Sequence, residues 1–252
     1  MNLYLISYLD SMIEHNIAIF CKLNFVKSAV YLSDLSQLSF RLKSLADFYF
    51  KFFHQINFLS VGVFMVDYIF ESDLGDSNFS DIRIQKVIRQ LTEKDLGSND
   101  VLPVHIRYSD SDEIHLIAGV IKLENKKIVF MHLVDLHIPK NVIMAMPNDV
   151  SYVREILESY DPDNKQSLRD LVARKGFYYN QFQKDCKTYF GDTFYSFLLK
   201  KKMMDSVADI IFTKMSLKEI AFKNKFVDYP NMYKIFLKHS VALPSIPRLA
   251  HL

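Results

Sequence analysis

Apolar residues recur every three or four positions over most of residues 167–239, which is the spacing of amphipathic helices. The pattern falls into two similar units, each with a short helix, a turn and a longer helix, and one long helix joins the units. The predicted helices begin at Ser167 and Ser216 and span 150–160, 179–190, 193–213 and 229–239. The chain after residue 150 is therefore predicted to be all-helical.

Capping signals mark where the short helices begin. Ser216 is a favourable N-cap residue, and Glu219 three residues later completes a capping box. Ser167 and Asp170 repeat that spacing in the first unit, and Asp228 is placed to cap the last helix. Both units are therefore predicted to begin in the same way.

The turn of the first unit contains Gly176, which can take positive φ because it lacks Cβ. The second unit has Lys225 at this position, so we expect either strain at Lys225 or a left-handed conformation at Asn224. An aromatic residue follows each turn, Phe177 in the first unit and Phe226 in the second. We expect each ring to fill the corner between its two helices.

This arrangement resembles the DNA-binding domain of the AraC/XylS family of transcriptional regulators. The matching positions in the first unit are Leu171, Gly176, Phe177, Phe182 and Gly191. Those in the second unit are Leu217, Ile220, Ala221, Phe226, Asp228, Phe236, Lys238 and Pro244. The sequence departs from the family pattern at Tyr178, Lys225, Val241 and Pro247. The resemblance is carried by the recurrence of two units at the right separation.

The resemblance implies that the first half of each recognition helix meets base edges in the major groove. In the first unit, Asn180, Gln183 and Lys184 would read bases, with Tyr179 and Lys187 near the DNA backbone. Side-chain amides can bond adenine with two hydrogen bonds, and a lysine can reach guanine.

The second recognition helix carries fewer residues that can read bases. It would present Tyr229, Pro230, Asn231, Tyr233 and Lys234, with Lys238 further along the helix. Only Asn231 and Lys234 are good base readers, and the tyrosines could donate to phosphates, which position a protein without specifying sequence. The run 200–202 in the linking helix, three lysines, is either a phosphate contact or a solvated face.

Residues 1–145 show a mixture of helix and strand periodicities. Helices are predicted over 3–15, 34–56 and 82–95, with a loop over 71–81. Strands are predicted as two short segments within 16–34, as a buried strand over 58–70, and over 101–109, 113–123 and 127–138, the last two joined by a hairpin turn at 124–127. Residues 138–149 form the predicted boundary between the two regions.

We therefore predict an α+β domain over 1–145, with helices and antiparallel strands, followed by an all-α double helix-turn-helix domain over 146–252. The order of elements in the first domain is loosely similar to PAS-type sensor folds, which also end in a β-hairpin. We expect this domain to dimerise, to sense a small-molecule effector, or to do both. The apolar stripe of the helix over 34–56 is either core or dimer surface, and core is the default.

The 252 residues carry a formal net charge of +2, which is unevenly distributed. Residues 150–252 contain 17 Lys and Arg against 11 Asp and Glu, whereas residues 1–149 contain 14 against 18. A basic region beside an acidic one fits a DNA-binding domain attached to another domain. Cys21 and Cys186 are too few for a disulfide framework, and no segment has the pattern of a signal peptide or membrane span. A reducing, cytoplasmic location is expected.

His132, Asp135 and His137 suggest a metal site at first sight. Successive residues of a strand point to opposite faces of the sheet, so only Asp135 and His137 lie on the same face. A metal site with all three residues as ligands is therefore excluded by the geometry of a single strand. The sequence also lacks a Ser-His-Asp signature, a Gly-rich phosphate loop and a paired-carboxylate motif. We predict no metal, no cofactor and no enzymatic activity.

These features favour a sequence-specific DNA-binding transcriptional regulator of the AraC type found in bacteria. Its expected partners are double-stranded DNA, a small-molecule effector, a second copy of the chain and, for an activator, RNA polymerase, with no membrane. One alternative is an interaction protein whose degenerate helix-turn-helix domain binds a protein instead of DNA. A third class is an enzyme housed in the N-terminal region, although no catalytic motif marks it.

Overall fold

The computed structural model describes residues 1–29, 31–71, 101–124, 127–145, 150–161 and 167–252. The predicted helix over 82–95 and almost all of the loop over 71–81 lie outside these ranges. The described chain has an N-terminal region with helices and a four-stranded antiparallel sheet, followed by an all-helical C-terminal region.

Three helices open the chain. They are α1 (Leu3–Phe20), α2 (Asn24–Lys27) and α3 (Leu32–Gln55). The helix predicted over 3–15 is confirmed and runs further, whereas the two strands predicted within 16–34 are wrong. Ile17 and Phe20 are buried on the same side of α1 as Leu9, so they continue its apolar stripe at helical spacing. Packing against the core therefore overrides the strand propensity of these β-branched and aromatic residues.

The helix α3 confirms the prediction over 34–56. Leu38, Leu42, Leu45 and Phe52 are all buried, so the apolar stripe belongs to the core. The stripe packs against one face of the sheet, and α1 covers the same face.

The sheet has the strand order β1-β4-β3-β2, with every neighbouring pair antiparallel. The strands are β1 (Phe64–Glu71), β2 (Val101–Ser109), β3 (Glu113–Glu124) and β4 (Lys127–Pro139). The last three confirm the predicted strands. The prediction of a buried strand over 58–70 was wrong in part, because β1 begins only at Phe64 and is an edge strand. Phe64 and Ile69 are 44% and 52% exposed.

Both faces of the sheet carry apolar residues. The face toward α1 and α3 contributes Leu116, Val120 and Leu136 to the main core. The opposite face has a second buried cluster of Val104, Ile117, Ile121, Leu123, Met131 and Leu133. Residues on the two faces alternate along each strand, as the pleat requires.

The described residues after 150 form six α-helices. They are α4 (Tyr152–Ser159), α5 (Leu168–Arg174), α6 (Tyr179–Phe190), α7 (Phe194–Phe212), α8 (Leu217–Lys223) and α9 (Tyr229–Lys238). These helices confirm the predicted all-helical region and its element order. Among the described residues, no helix has the length and apolar character needed to cross a bilayer.

The N-terminal helices pack directly on the C-terminal ones. The Asn2 side-chain amide donates to the carbonyl of Tyr189, and the rings of Tyr4 and Tyr189 lie 4.9 Å apart. Gln55 Nε2 donates to the carbonyl oxygen of Ser240 at 2.8 Å. One apolar core connects the two regions. A domain boundary near residue 145 stays a prediction, since residues 146–149 lie outside the described ranges.

Candidate nucleic-acid interface

The first helix-turn-helix unit consists of α5, a turn and α6, and its ends are set by local chemistry. Ser167 Oγ accepts a hydrogen bond from the backbone N–H of Asp170 at 3.1 Å, which caps α5. The turn contains Gly176 at φ +83°, as predicted, and α6 ends at Gly191 with φ +69°. Glycine is favoured at both positions because an added Cβ is strained at positive φ.

Aromatic packing holds α6 in place. Phe182 and Cys186 are fully buried, as predicted, and the ring of Phe182 lies 5.6 Å from Phe194 and 6.4 Å from Tyr152. The prediction that Phe177 fills the corner holds only in part. Its ring stacks on Tyr152 at 3.7 Å, but 37% of the residue stays exposed.

The outer face of α6 borders an open groove of about 480 Å³ that continues along the start of α7. All five first-unit residues predicted to contact DNA line this groove: Tyr179, Asn180, Gln183, Lys184 and Lys187. Four of the five are exposed, and Tyr179 is half-buried. The structure therefore brings the predicted residues together on one accessible surface.

Arg169 is a basic residue of this surface that sequence reasoning missed. It lies on α5, is exposed, and places its guanidinium carbon 5.3 Å from the centre of the Tyr179 ring. An arginine over an aromatic face is a cation–π contact. Its position in the sequence could have indicated this role, because it lies two residues after the N-cap Ser167, at the start of the helix preceding α6.

The second unit begins with the predicted capping box. Ser216 N donates to Glu219 Oε2 at 2.7 Å, and Glu219 N donates to Ser216 Oγ at 3.3 Å. These hydrogen bonds favour the ionised carboxylate and lower the pKa of Glu219. Asp228 Oδ1 accepts from Asn231 N at 2.7 Å, so the predicted cap of α9 is also confirmed.

The second turn resolves the alternative between Asn224 and Lys225. Lys225 takes the left-handed position with φ +57°, whereas Asn224 has φ −89°. The Asn224 side chain donates to Asp209 Oδ2 at 2.8 Å, and Lys202 Nζ donates to the Lys225 carbonyl at 2.9 Å. These contacts from α7 hold the turn in its strained conformation.

Lys225→Gly is expected to raise the free energy of unfolding by about 1 kcal/mol, because glycine removes the Cβ strain of the left-handed conformation. Gly176→Ala is the converse substitution, and it is expected to lower the free energy of unfolding by a similar amount. A Cβ at Gly176 would meet no atom within 4 Å, so backbone strain alone sets that cost. Urea denaturation of both variants gives the test. A neutral or destabilising Lys225→Gly would contradict the assignment of strain.

The second helix of this unit, α9, buries Met232 and Phe236, as predicted. The residues predicted to contact DNA are mixed in exposure: Tyr229 and Asn231 are half-buried, and Tyr233, Lys234 and Lys238 are exposed. The rings of Tyr229 and Tyr233 lie 6.2 Å apart. This face is thus more aromatic and less amide-rich than that of α6.

Two lysines of the run 200–202, Lys200 and Lys202, have structural roles that neither sequence interpretation anticipated. Lys200 is only 8% exposed, and its Nζ lies 2.8 Å from Asp192 Oδ2 and 3.0 Å from the Asn57 carbonyl. Lys202 holds the second turn, as described above. Lys200 is therefore neither a phosphate contact nor part of a solvated face, because its ammonium group is paired with Asp192 and donates to the Asn57 carbonyl.

The sheet separates the three polar residues of β4. Asp135 and His137 share one face, as predicted, and His132 lies on the opposite face with its Nδ1 2.7 Å from Ser39 Oγ. Asp67 Oδ1 lies 3.6 Å from His132 Nε2, which makes a serine–histidine–aspartate group. His132 is fully buried and Ser39 nearly so, so this serine is not accessible to a substrate.

Comparison with known proteins adds no further constraint on function. No protein-family model, no curated protein and no solved structure matches this chain. The function is therefore argued from the geometry of the described residues.

Proposed function

We propose that this chain is a sequence-specific DNA-binding transcriptional regulator of the AraC type. The observation that carries the proposal is the duplication of one capped helix-turn-helix plan, in α5–α6 and again in α8–α9, around the linking helix α7. A helix that follows such a turn is the element that enters the major groove in this motif. Two such helices would read two segments of one site.

The chemistry of α6 suits base reading. Asn180 and Gln183 supply amides that can bond adenine, and Lys184 supplies a charge that can reach guanine O6 and N7. All three are exposed along one groove, with Lys187 at its border. We therefore assign most of the sequence discrimination to the first unit.

The second unit is better suited to positioning the protein on DNA. Its exposed lysines, Lys234 and Lys238, and the hydroxyl of Tyr233 can contact phosphates. Asn231 and Lys234 remain the candidates for base contacts on this helix.

An effector would occupy a cavity between α1, α3 and the sheet. This cavity has a volume of about 110 Å³, and its walls are apolar except at a few atoms. Asn16 and the buried Tyr49 are both part of this lining; burial raises the pKa of Tyr49, and its interaction with the Asn16 side chain opposes that rise. A small apolar molecule with one hydrogen-bonding group fits this lining. The regulator would act in the cytoplasm, where its DNA target lies.

A second candidate function is protein binding by the helix-turn-helix region. The observation favouring it is an exposed apolar pair beside the second turn: Phe222 is 85% exposed and Val227 is 87% exposed. Such side chains suit contact with a protein surface. This reading and DNA binding differ in their dependence on salt, because phosphate contacts release counterions.

The experiment that tests the proposal is selection of bound fragments from a random DNA pool by the purified full chain at two salt concentrations. A recovered motif with two half-sites about one helical turn apart would support both units reading DNA. A single half-site would restrict base reading to the first unit. Recovery of no motif at either salt, in the absence and presence of candidate effectors, would favour the protein-binding function.

Lys184→Ala is expected to weaken binding to the selected site by about 1–3 kcal/mol and to relax the preference at one base pair, because Lys184 reads a base edge. Lys187→Ala is expected to weaken binding evenly across sequences and to reduce the salt slope by about one charge, because Lys187 contacts the backbone. Fluorescence anisotropy with single-base variants of the site measures both.

Lys51→Ala is the matched control, because Lys51 is an exposed lysine on α3, outside both units. Its variant is expected to bind like the unmodified chain. Equal and sequence-independent losses for Lys184→Ala and Lys187→Ala would contradict base reading by the first unit.

A further inference from the structure

Two histidines face each other across neighbouring strands at one end of the sheet. His115 on β3 is the register partner of His137 on β4, and their ring centres lie 4.5 Å apart. Tyr108 stacks on His115 at 4.3 Å, and Phe64 stacks on His137 at 4.4 Å. The four rings come from four strands, so the sheet register alone sets this pair and the aromatic walls beside it.

A buried carboxylate lies on one side of the histidine pair. Asp135 is 1% exposed, and its Oδ2 lies 3.0 Å from His115 Nδ1 and 3.1 Å from His137 Nε2. The first contact is a hydrogen bond, and the second has an ion-pair distance without hydrogen-bond alignment. Asp135 therefore lies at one nitrogen of each ring, and the other ring nitrogens, His115 Nε2 and His137 Nδ1, face away from it.

Two more carboxylates lie at those other nitrogens. Glu113 Oε2 lies 2.7 Å from His137 Nδ1 and 3.8 Å from His115 Nε2, and Asp110 Oδ2 lies 3.1 Å from His115 Nε2. The backbone N–H groups of Asp112 and Glu113 donate to Asp110 Oδ1. These hydrogen bonds hold Asp110 so that its second oxygen, Oδ2, is directed at His115 Nε2.

We propose that Glu113, His115 and His137 bind a divalent transition-metal ion. The donor atoms of these three residues all lie within 4.8 Å of one another. A zinc ion with ligands about 2.0–2.2 Å away needs donors roughly 3–3.6 Å apart, so small side-chain rotations suffice. Metal binding releases protons from its ligands, so the ion would displace any proton between Glu113 Oε2 and His137 Nδ1 to solvent.

Asp135 acts as the positioning residue of this site. Histidine ligands of metals usually donate their second ring N–H to a carboxylate, which fixes the ring orientation. Here one buried aspartate serves both rings. Asp135, Glu113 and Asp110 place three carboxyl groups around the two rings, and such a concentration of acidic groups attracts a cation.

The donor set defines the class of ion. Two imidazoles and a carboxylate, without thiolates, suit Zn²⁺, Fe²⁺, Co²⁺ or Ni²⁺, whereas Mg²⁺ and Ca²⁺ prefer oxygen ligands alone. The site lies in the sheet, on elements other than the helix-turn-helix units, so this inference does not rest on the proposed DNA binding.

The sequence pattern did not predict the site, because its residues lie on different strands. The β4 segment by itself supplies only Asp135 and His137 on one face. Glu113 and His115 come from β3, more than 20 positions earlier, and join them only through the antiparallel register.

Titration of the chelator-stripped full chain with Zn²⁺ by calorimetry tests the inference. One equivalent is expected to bind, and thermal unfolding is expected to shift upward with Zn²⁺. His115→Gln and Glu113→Gln should each weaken binding at least 100-fold, and Asp135→Asn by about 10–100-fold. His15→Gln is the matched control, because His15 is an exposed histidine on α1, and it should bind Zn²⁺ unchanged.

Circular dichroism without metal shows whether each variant folds. Co²⁺ added to the unmodified chain gives a second readout, because its visible absorption reports coordination by nitrogen and oxygen without any substitution. Absence of Zn²⁺ binding and of a Co²⁺ spectrum in the unmodified chain would overturn the proposal. Equal Zn²⁺ affinity in the folded His115→Gln variant would overturn it as well.

Discussion

Phe182→Ala is expected to lower the free energy of unfolding by about 3–5 kcal/mol and to abolish sequence-specific DNA binding. Phe182 is fully buried between Tyr152, Tyr179 and Phe194, so its loss leaves a cavity as well as removing apolar contact. A helix of 12 residues is only marginally stable alone, and α6 therefore depends on this packing. Urea denaturation and anisotropy with the selected DNA site measure the two effects.

Phe222→Ala is the matched control, because Phe222 is also a helical phenylalanine but is 85% exposed. Its effect on the free energy of unfolding is expected to stay within about 0.5 kcal/mol. Specific DNA binding should persist in this variant, whereas a protein partner that uses the exposed surface would be lost. Retention of specific DNA binding by Phe182→Ala would contradict the assignment of α6 as the main recognition helix.

Lys200→Ala is expected to lower the free energy of unfolding by about 2–4 kcal/mol. The substitution leaves the half-buried Asp192 without its ammonium partner and removes a hydrogen bond to the Asn57 carbonyl. Because Lys200 joins α7 to the N-terminal region, both regions should lose stability in one transition. Denaturant unfolding followed by circular dichroism measures this, and Lys51→Ala again serves as the surface-lysine control.

The pH dependence of this variant provides an independent check. Burial raises the pKa of Asp192, but hydrogen bonds from Lys200 and Ser196 lower it further than burial raises it. A folded-state pKa below the unfolded value of about 3.9 gives stability that is present at neutral pH and is lost as the pH falls through the folded-state pKa. The difference between the unmodified chain and Lys200→Ala should therefore be largest near pH 7 and shrink below about pH 4.

DNA binding separates the two roles of Lys200. A lysine that contacts a phosphate would reduce the salt slope by about one when it is removed, with little effect on unfolding. We expect the reverse for Lys200, namely a loss of stability with an unchanged salt slope. A reduced salt dependence of DNA binding in a fully folded Lys200→Ala variant would instead indicate that Lys200 contacts a phosphate.

The sequence by itself determined the helical region after residue 150 in considerable detail. The caps at Ser167, Ser216 and Asp228 are confirmed, as is the turn at Gly176. These features depend on residues within four positions of one another, so the local sequence is sufficient to predict them. The face of α6 was predictable for the same reason, because helical spacing fixes which side chains point outward.

Helix and strand identity in the N-terminal region was only partly determined. The strong apolar stripe of α3 predicted a helix, and alternation with hairpin signals predicted β2, β3 and β4. Residues 16–34 contain many β-branched and aromatic side chains, and only their contact with the core decides for helix over strand. Tertiary burial therefore prevailed over intrinsic preference there.

Only the tertiary structure decided the contacts between distant residues. In the sequence, Lys200 is one of three consecutive lysines with nothing to distinguish it. In the structure it is buried, because its ammonium group contacts the Asn57 carbonyl and the Asp192 carboxylate. The histidine–carboxylate cluster likewise exists only because the register of β3 and β4 places His115 beside His137. Pairing register and packing depend on the whole chain, since residues more than 20 positions apart must be brought within a few ångströms.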